Sequence, residues 1–284
     1  MNFNDLQAFV AVAEHGSFSI AAQTLHITQP AVTKRIANLE DVYDTRLFDR
    51  IGRRVVLTRA GELLLPNAKA LLNAAQDTQR QLQNLSAQVS GTLSIATSHH
   101  IGLHRLAPVL REFRTTYPDV ALNLTFEDSE VAHQMVRQGD VELAVVTLDP
   151  AGEVDLHTEL IWSDPLVFVS DQKLQKVVSL AALAERPCVL PGMATYTGRI
   201  VTDRFSDAGL TLQPVMSTNY LETIGMLVSV GLGWSVLPAT MQAELQVLKV
   251  DTPPLTRNLG MVSNPQRVMS RAASAFIEVL QTFN

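Results

Sequence analysis

Gln29, Thr33 and Arg35 carry the polar groups whose types and spacing point to recognition chemistry, flanked by Thr28, Pro30 and Lys34. An amide can bond two positions on an adenine edge. A guanidinium can do the same for guanine, or hold a phosphate. Set at the start of a helix, such groups suit a DNA major groove, where a helix N-terminus reaches base edges.

The flanking residues supply the elements that would hold them. From Asn4 to His15, Leu6, Phe9, Val10 and Ala13 recur at helical spacing. Gly16 can end that helix in a left-handed cap, and Ser17 can cap the next one and is counted with the DNA-contact candidates. Ala21, Ala22 and Leu25 are small or apolar and let the second helix lie close to its neighbours. Thr28 is placed to cap a third helix, with Pro30 in its first turn. Val32, Ile36 and Leu39 then fall on a core face and leave the polar set outward.

A hairpin is predicted next, with Leu47-Phe48-Asp49-Arg50 and Val55-Val56-Leu57 as strands around Gly52-Arg53-Arg54. Arg50, Arg53 and Arg54 would lie against phosphates or a minor groove. Thr58 opens a helical run from Arg59 to about Gln88. Leu64, Leu71, Leu72, Ala75, Leu82, Leu85 and Val89 repeat along it at intervals of three, four and seven. A small winged domain cannot cover so long a stripe, so a second copy of the chain is the expected partner, the alternative being a structural helix within one chain.

Composition narrows the class. With 46% hydrophobic and 18% charged residues the chain is a globular one, long enough for two or three domains. The net charge of −6 argues against diffuse adhesion to nucleic acid. Residues 1–90 nevertheless hold nine Lys/Arg against eight Asp/Glu, so the acidity lies in the remainder. Cys188 is the only cysteine, which excludes an intrachain disulfide. The N-terminus, with Asp5 and Glu14, does not read as a signal peptide. The longest uncharged apolar run, Ile224 to Pro238, is too short to span a membrane. A cytoplasmic protein without a membrane partner is expected.

Together these motifs resemble the LysR-type transcriptional regulators. The resemblance covers the whole chain and is strongest over 3–66. It rests on Ser17-Phe18 with Ala21-Ala22, Thr28-Gln29-Pro30-Ala31-Val32, Ile36 with Leu39-Glu40, Leu47-Phe48-Asp49-Arg50, and Leu57-Thr58 with Ala60-Gly61-Glu62. Tyr43-Asp44 departs from the family's usual Leu-Gly turn, although Asp tolerates left-handed backbone better than most residues. Arg59 stands where the family often has an acid and could add a phosphate contact.

After the hinge-like Ser90-Gly91, strands and helices alternate: Thr92–Ala96, a helix over 101–117, Val120–Phe126, a helix over 131–138, and Leu143–Thr147. This βαβ rhythm predicts a mainly parallel sheet with helices on its faces. A second unit begins at Leu166–Val169, and the final helix, Ser270 to Phe283, is expected to return to the first. Two such lobes resemble the family's effector domain. The implied architecture is α/β with an N-terminal all-α winged helix-turn-helix and a two-lobed, periplasmic-binding-protein-like effector domain. The expected divisions are 1–58 for DNA binding, 59–90 for the linker and dimerisation helix, and 91–284 for the effector domain. Within the last, lobe I takes about 91–161 plus 266–284 and lobe II about 162–265.

Ligands in such folds sit at the C-terminal ends of strands, between the lobes. The strand-end candidates are Thr97, Ser98, His99, His100 and Thr147 in the first lobe, with Thr195, Tyr196, Asn219 and Tyr220 in the second. Ser98, Thr195 and Asn219 are the preferred hydrogen-bond partners of a small organic acid. His104 follows His100 by four residues, but without an acidic or cysteine neighbour the pair is a weak metal signal, and no metal or other cofactor is expected. Cys188 reads as a small buried hydrophobe, and Gly231-Leu232-Gly233 as a packing turn, since it precedes a strand instead of a helix. The sequence has no nucleophile elbow, phosphate loop or catalytic carboxylate pair. The resemblance therefore implies a non-enzymatic regulator whose partners are double-stranded DNA, a small-molecule effector, further copies in a dimer or tetramer, and RNA polymerase. The alternative is a solute-binding protein or an enzyme on the same two-lobed scaffold.

Overall fold

The computed structural model describes residues 2–52, 54–86, 88–171, 176–242 and 245–284. The chain divides into two compact units, Met1–Leu85 and Ser86–Asn284.

In the first unit three helices, α1 (Phe3–His15), α2 (Phe18–Thr24) and α3 (Gln29–Tyr43), enclose a core that includes Leu6, Phe9, Val12, Val32, Ile36 and Leu39. Gly16 ends α1 with φ 58°, and the Ser17 hydroxyl caps α2 by accepting from the Ile20 amide at 3.3 Å. Thr28 occupies the N-cap position of α3, but its side chain makes no capping hydrogen bond. Asp44 closes α3 in the left-handed region, φ 46° and ψ 42°. The hairpin of β1 (Phe48–Ile51) and β2 (Arg54–Leu57) pairs antiparallel, with Ile51 opposite Arg54. Phe48 joins it to the helices, its ring 5.4 Å from Phe9 and 5.9 Å from Phe18.

The long helix α4 runs over Arg59–Gln83, shorter than the expected reach to about Gln88. It stops where the amides of Asn84 and Leu85 turn back to carbonyls of the last helical turn, so Leu85 and Val89 lie beyond it. Pro66 lies within α4 and removes one backbone donor. Gly61 is dictated by a close approach: a Cβ there would stand 2.3 Å from the Leu47 carbonyl oxygen. Leu64, Leu65, Ala68 and Leu72 pack on the core, while Leu71 and Leu82 are exposed.

The second unit is built on a seven-stranded sheet among the described residues. Its first lobe holds β3 (Gly91–Thr97), a short α5 (His99–Ile101) continued by a π-helical turn (Gly102–Leu106) into α6 (Ala107–Thr116), β4 (Val120–Phe126), α7 (Ser129–Gln138) and β5 (Leu143–Thr147). β3 pairs parallel with both β4 and β5, as the βαβ rhythm requires. β6 (His157–Ser170) then leads into the second lobe. There lie β7 (Val177–Val178), α8 (Leu180–Ala184), β8 (Val189–Leu190), α9 (Tyr196–Asp207), β9 (Met216–Ser217), α10 (Leu221–Ser229), β10 (Ser235–Pro238), β11 (Gln246–Val247) and β12 (Lys249–Val250). β13 (Leu255–Ser263) returns, and α11 (Arg271–Gln281) packs on the first-lobe core through Ala272, Ala273 and Phe276.

The expected mainly parallel sheet is corrected by β6 and β13. These long strands pair antiparallel with each other, β13 is antiparallel to β5, and β10 to β6. Two crossovers in opposite directions between the lobes must lie antiparallel when they are neighbours. Leu259–Ser263 pairs with β5, whereas Leu255–Asn258 pairs with β6 alone. Each crossover strand is therefore shared by both lobes and does not break at a single residue.

Candidate functional site

In the first unit, Thr28, Gln29, Pro30, Thr33 and Lys34 are exposed at the start of α3. Their positions follow from Val32, Ile36 and Leu39, which are buried and fix the outward face. The Thr33 hydroxyl donates back to the Gln29 backbone carbonyl at 3.1 Å, and the Gln29 side chain is exposed. Arg35 is half-buried and donates to the Asn4 carbonyl at 3.4 Å, so it also ties α3 to α1. Ser17 is half-buried and engaged in its cap.

On the hairpin Arg50 and Arg54 are exposed; Arg53 lies outside the described residues. Arg59 forms an exposed ion pair with Glu62 at 3.1 Å. Glu40 is a positioning residue that the sequence reading did not assign: its carboxylate accepts the Leu47 amide at 2.8 Å and anchors the approach to the hairpin on α3.

In the second unit a cavity of about 200 Å³ lies between the lobes. Ser98, His99, His100 and Thr147 reach it from the first lobe, and Thr195, Tyr196, Asn219 and Tyr220 from the second. Thr97 does not line it. That side chain is fully buried and its hydroxyl donates to the Val145 carbonyl at 2.7 Å, because inward positions of a central strand face the core.

Two preferred ligand contacts are already engaged. Thr195 caps α9, accepting from the Gly198 amide at 3.1 Å and donating to the Gly192 carbonyl at 2.7 Å. Asn219 accepts from the Gly192 amide at 2.9 Å and donates across the cleft to Asp128 at 2.5 Å. Further bridges join the lobes: the Tyr196 amide donates to Glu130, and Arg199 meets Asp149 at 3.3 Å.

Arg257, absent from the sequence candidates, forms the buried floor of this cavity. It lies on crossover strand β13, where its Nε donates to Asp164 on β6 at 2.7 Å and its Nη1 to Thr197 at 3.4 Å. Its Nη2 is buried without a hydrogen-bond partner among the described residues. Arg105 completes the network, 3.3 Å from the second Asp164 oxygen. Burial lowers the pKa of Arg257, and the Asp164 charge opposes that shift. A lone arginine in an alternating strand gives no sequence signal that it faces a cavity.

His100 is buried, and burial followed by the Arg257 charge holds its imidazole down at about 4. The acidic neighbour lacking in the local sequence arrives from the other lobe. Glu222 Oε1 lies 3.3 Å from His100 Nδ1 and 2.9 Å from His104 Nε2. His99 packs edge-on against the exposed Tyr220 ring at 5.4 Å. Tyr196, buried beside Asp149, Glu153 and Glu130, has its phenol pKa raised, chiefly by burial.

A winged helix-turn-helix unit and a two-lobed unit with a polar interlobe cavity define a DNA-binding transcriptional regulator with an effector-binding domain. Comparison with known proteins agrees. The bacterial regulatory helix-turn-helix protein, lysR family, profile matches residues 3–62, and the LysR substrate binding domain profile matches residues 86–284. The chain belongs to the LysR family of transcriptional regulators, which are not enzymes.

A probable RuBisCO transcriptional regulator of Nostoc sp. is 32% identical over 296 residues, covering 99% of this chain and 88% of its own. An HTH-type regulator from the ibpB-leuC intergenic region of Azotobacter vinelandii is 60% identical over 108 residues, 38% of this chain and 75% of its own. The fold resembles full-length CbnR crystallised with its target DNA, at TM-score 0.66 and 21% identity over all of both chains. The solute-binding and enzymatic alternatives are thereby set aside. No described helix is long and apolar enough to cross a membrane.

Proposed function

We propose that this regulator reads a DNA major groove with the start of α3 and responds to a small organic acid held between its lobes. Gln29 supplies the base-reading amide; Thr28, Thr33 and Lys34 flank it, and Arg50, Arg53 and Arg54 meet the adjacent backbone. The exposed leucines of α4 pair two copies, so that two recognition helices address one face of an imperfect palindrome. Higher assembly as a tetramer, action in the cytoplasm and contact with RNA polymerase belong to the same reading.

The observation that carries the effector assignment is the buried Arg257 Nη2 at the cavity floor, without a partner among the described residues. A buried cationic donor gains most from an anionic acceptor, and a carboxylate supplies one with matching planar geometry. Ser98 and Thr147 add hydroxyls along the wall. A volume near 200 Å³ favours a small metabolite over a drug-sized ligand.

The test is a thermal-shift screen of the full chain against small carboxylates and their neutral amides. A carboxylate that binds should raise the melting temperature with concentration, and Arg257→Lys should reduce that rise. Equal stabilisation by the matching amides would overturn the assignment.

A further inference from the structure

We propose that His100, His104 and Glu222 form a divalent transition-metal site, of Zn(II) type, linking the first lobe to the second. Among the described residues these groups bring three ligand atoms within 4.8 Å of one another. Two lie on one segment at a spacing of four residues, His100 in α5 and His104 in the following π-helical turn. Their rings are close, 4.6 Å between centroids. Glu222 comes from the first turn of α10 in the other lobe.

Distances and donor chemistry both fit. Ligand atoms about 2.0–2.1 Å from a tetrahedral Zn(II) stand about 3.3 Å from each other. The two nitrogen–oxygen separations here are 3.3 Å, at that value, and 2.9 Å, a little below it. The histidine nitrogens lie within 4.8 Å of each other and would close toward that tetrahedral separation around a bound ion. Two imidazoles and one carboxylate suit zinc and its neighbours better than magnesium or calcium, which favour all-oxygen shells.

A second observation concerns the same carboxylate: Glu222 Oε2 is buried without a hydrogen-bond partner among the described residues. An ion at this site would give that oxygen's carboxylate a counter-charge. Arg257 is the opposing cation nearby, and Asp164 pairs with it at 2.7 Å. Three protein ligands leave a position for water. Because the ligands come from both lobes, a bound ion would hold the cleft closed at this edge.

Calorimetric titration of Zn(II) into tag-free, chelator-treated full-length protein tests the site, with no organic effector present. One ion per chain should bind, and His104→Ala and Glu222→Gln should each weaken binding at least about tenfold. The exposed His99→Ala should leave it unchanged, and circular dichroism should match wild type in all three. Bound Co(II) should give tetrahedral visible bands that both ligand variants lose. Equal Zn(II) affinity in wild type and both ligand variants, or no binding by wild type, would overturn the proposal. Neither result depends on Arg257 receiving a carboxylate.

Discussion

Arg257 and Asp164 meet across the two strands that join the lobes, Nε to Oδ2 at 2.7 Å, and both side chains are almost fully buried. The pair fixes the register of the crossover at the cavity floor and presents the remaining guanidinium nitrogen to the cleft. Removing Arg257 leaves the buried Asp164 carboxylate with only its longer, partly exposed contact to Arg105 at 3.3 Å. Arg257→Gln should therefore cost about 3 kcal/mol in chemical denaturation. Adding Asp164→Asn should recover part of it, since the buried and now under-compensated carboxylate is removed at the cost of the Arg105 contact. A double variant no more stable than the single one would refute this coupling.

Leu71 and Leu82 are 43% and 64% exposed on α4. Glutamate at both positions should change the stability of the isolated subunit little, by about 0.5 kcal/mol per site. It should shift the assembly toward monomer in sedimentation velocity. An unchanged sedimentation coefficient across concentrations would remove α4 from the proposed pairing surface.

Asp44 and Gly61 should respond in opposite directions. The φ of 46° at Asp44 costs less with glycine, so Asp44→Gly should raise stability by about 0.5–1 kcal/mol. Gly61→Ala should lower it by roughly 1–3 kcal/mol, because the new methyl meets the Leu47 backbone oxygen and cannot swing aside. Thermal melts of the two variants check both signs.

Burial pushes the Cys188 thiol pKa up to about 11. At pH 8 only about one thiol in a thousand is then ionised. Alkylation of the native protein should be very slow and become rapid in denaturant. Fast native labelling would show that the thiol is more accessible than its place beside Trp234 implies.

The DNA-contacting unit was legible in the sequence because its signals are local. Caps at Gly16 and Ser17, the apolar spacing of Val32, Ile36 and Leu39, and the turn at Asp44 each act within a few residues. The cleft was legible only in outline. Loops after β3 and β5 were foreseen as its wall, and eight of the nine proposed residues line it. What escaped depends on long-range pairing. Glu222 meets histidines more than a hundred residues away, and Arg257 faces the cavity because β13 crosses between lobes. Thr97 and Asn219 are engaged by distant elements, through the Val145 carbonyl and Asp128, whereas Thr195 is held locally as the cap of α9. The end of α4 was misjudged because its apolar stripe continues past the last helical turn.

The most direct test of the central claim is fluorescence anisotropy with a duplex from the gene's own upstream region, across a salt series. Gln29→Ala should lose about 1–3 kcal/mol of affinity for that duplex and little for a shuffled one. Arg54→Ala should weaken both duplexes and reduce the salt slope by about one. Wild-type affinity and salt slope in both variants would contradict DNA reading by the α3 start and the hairpin.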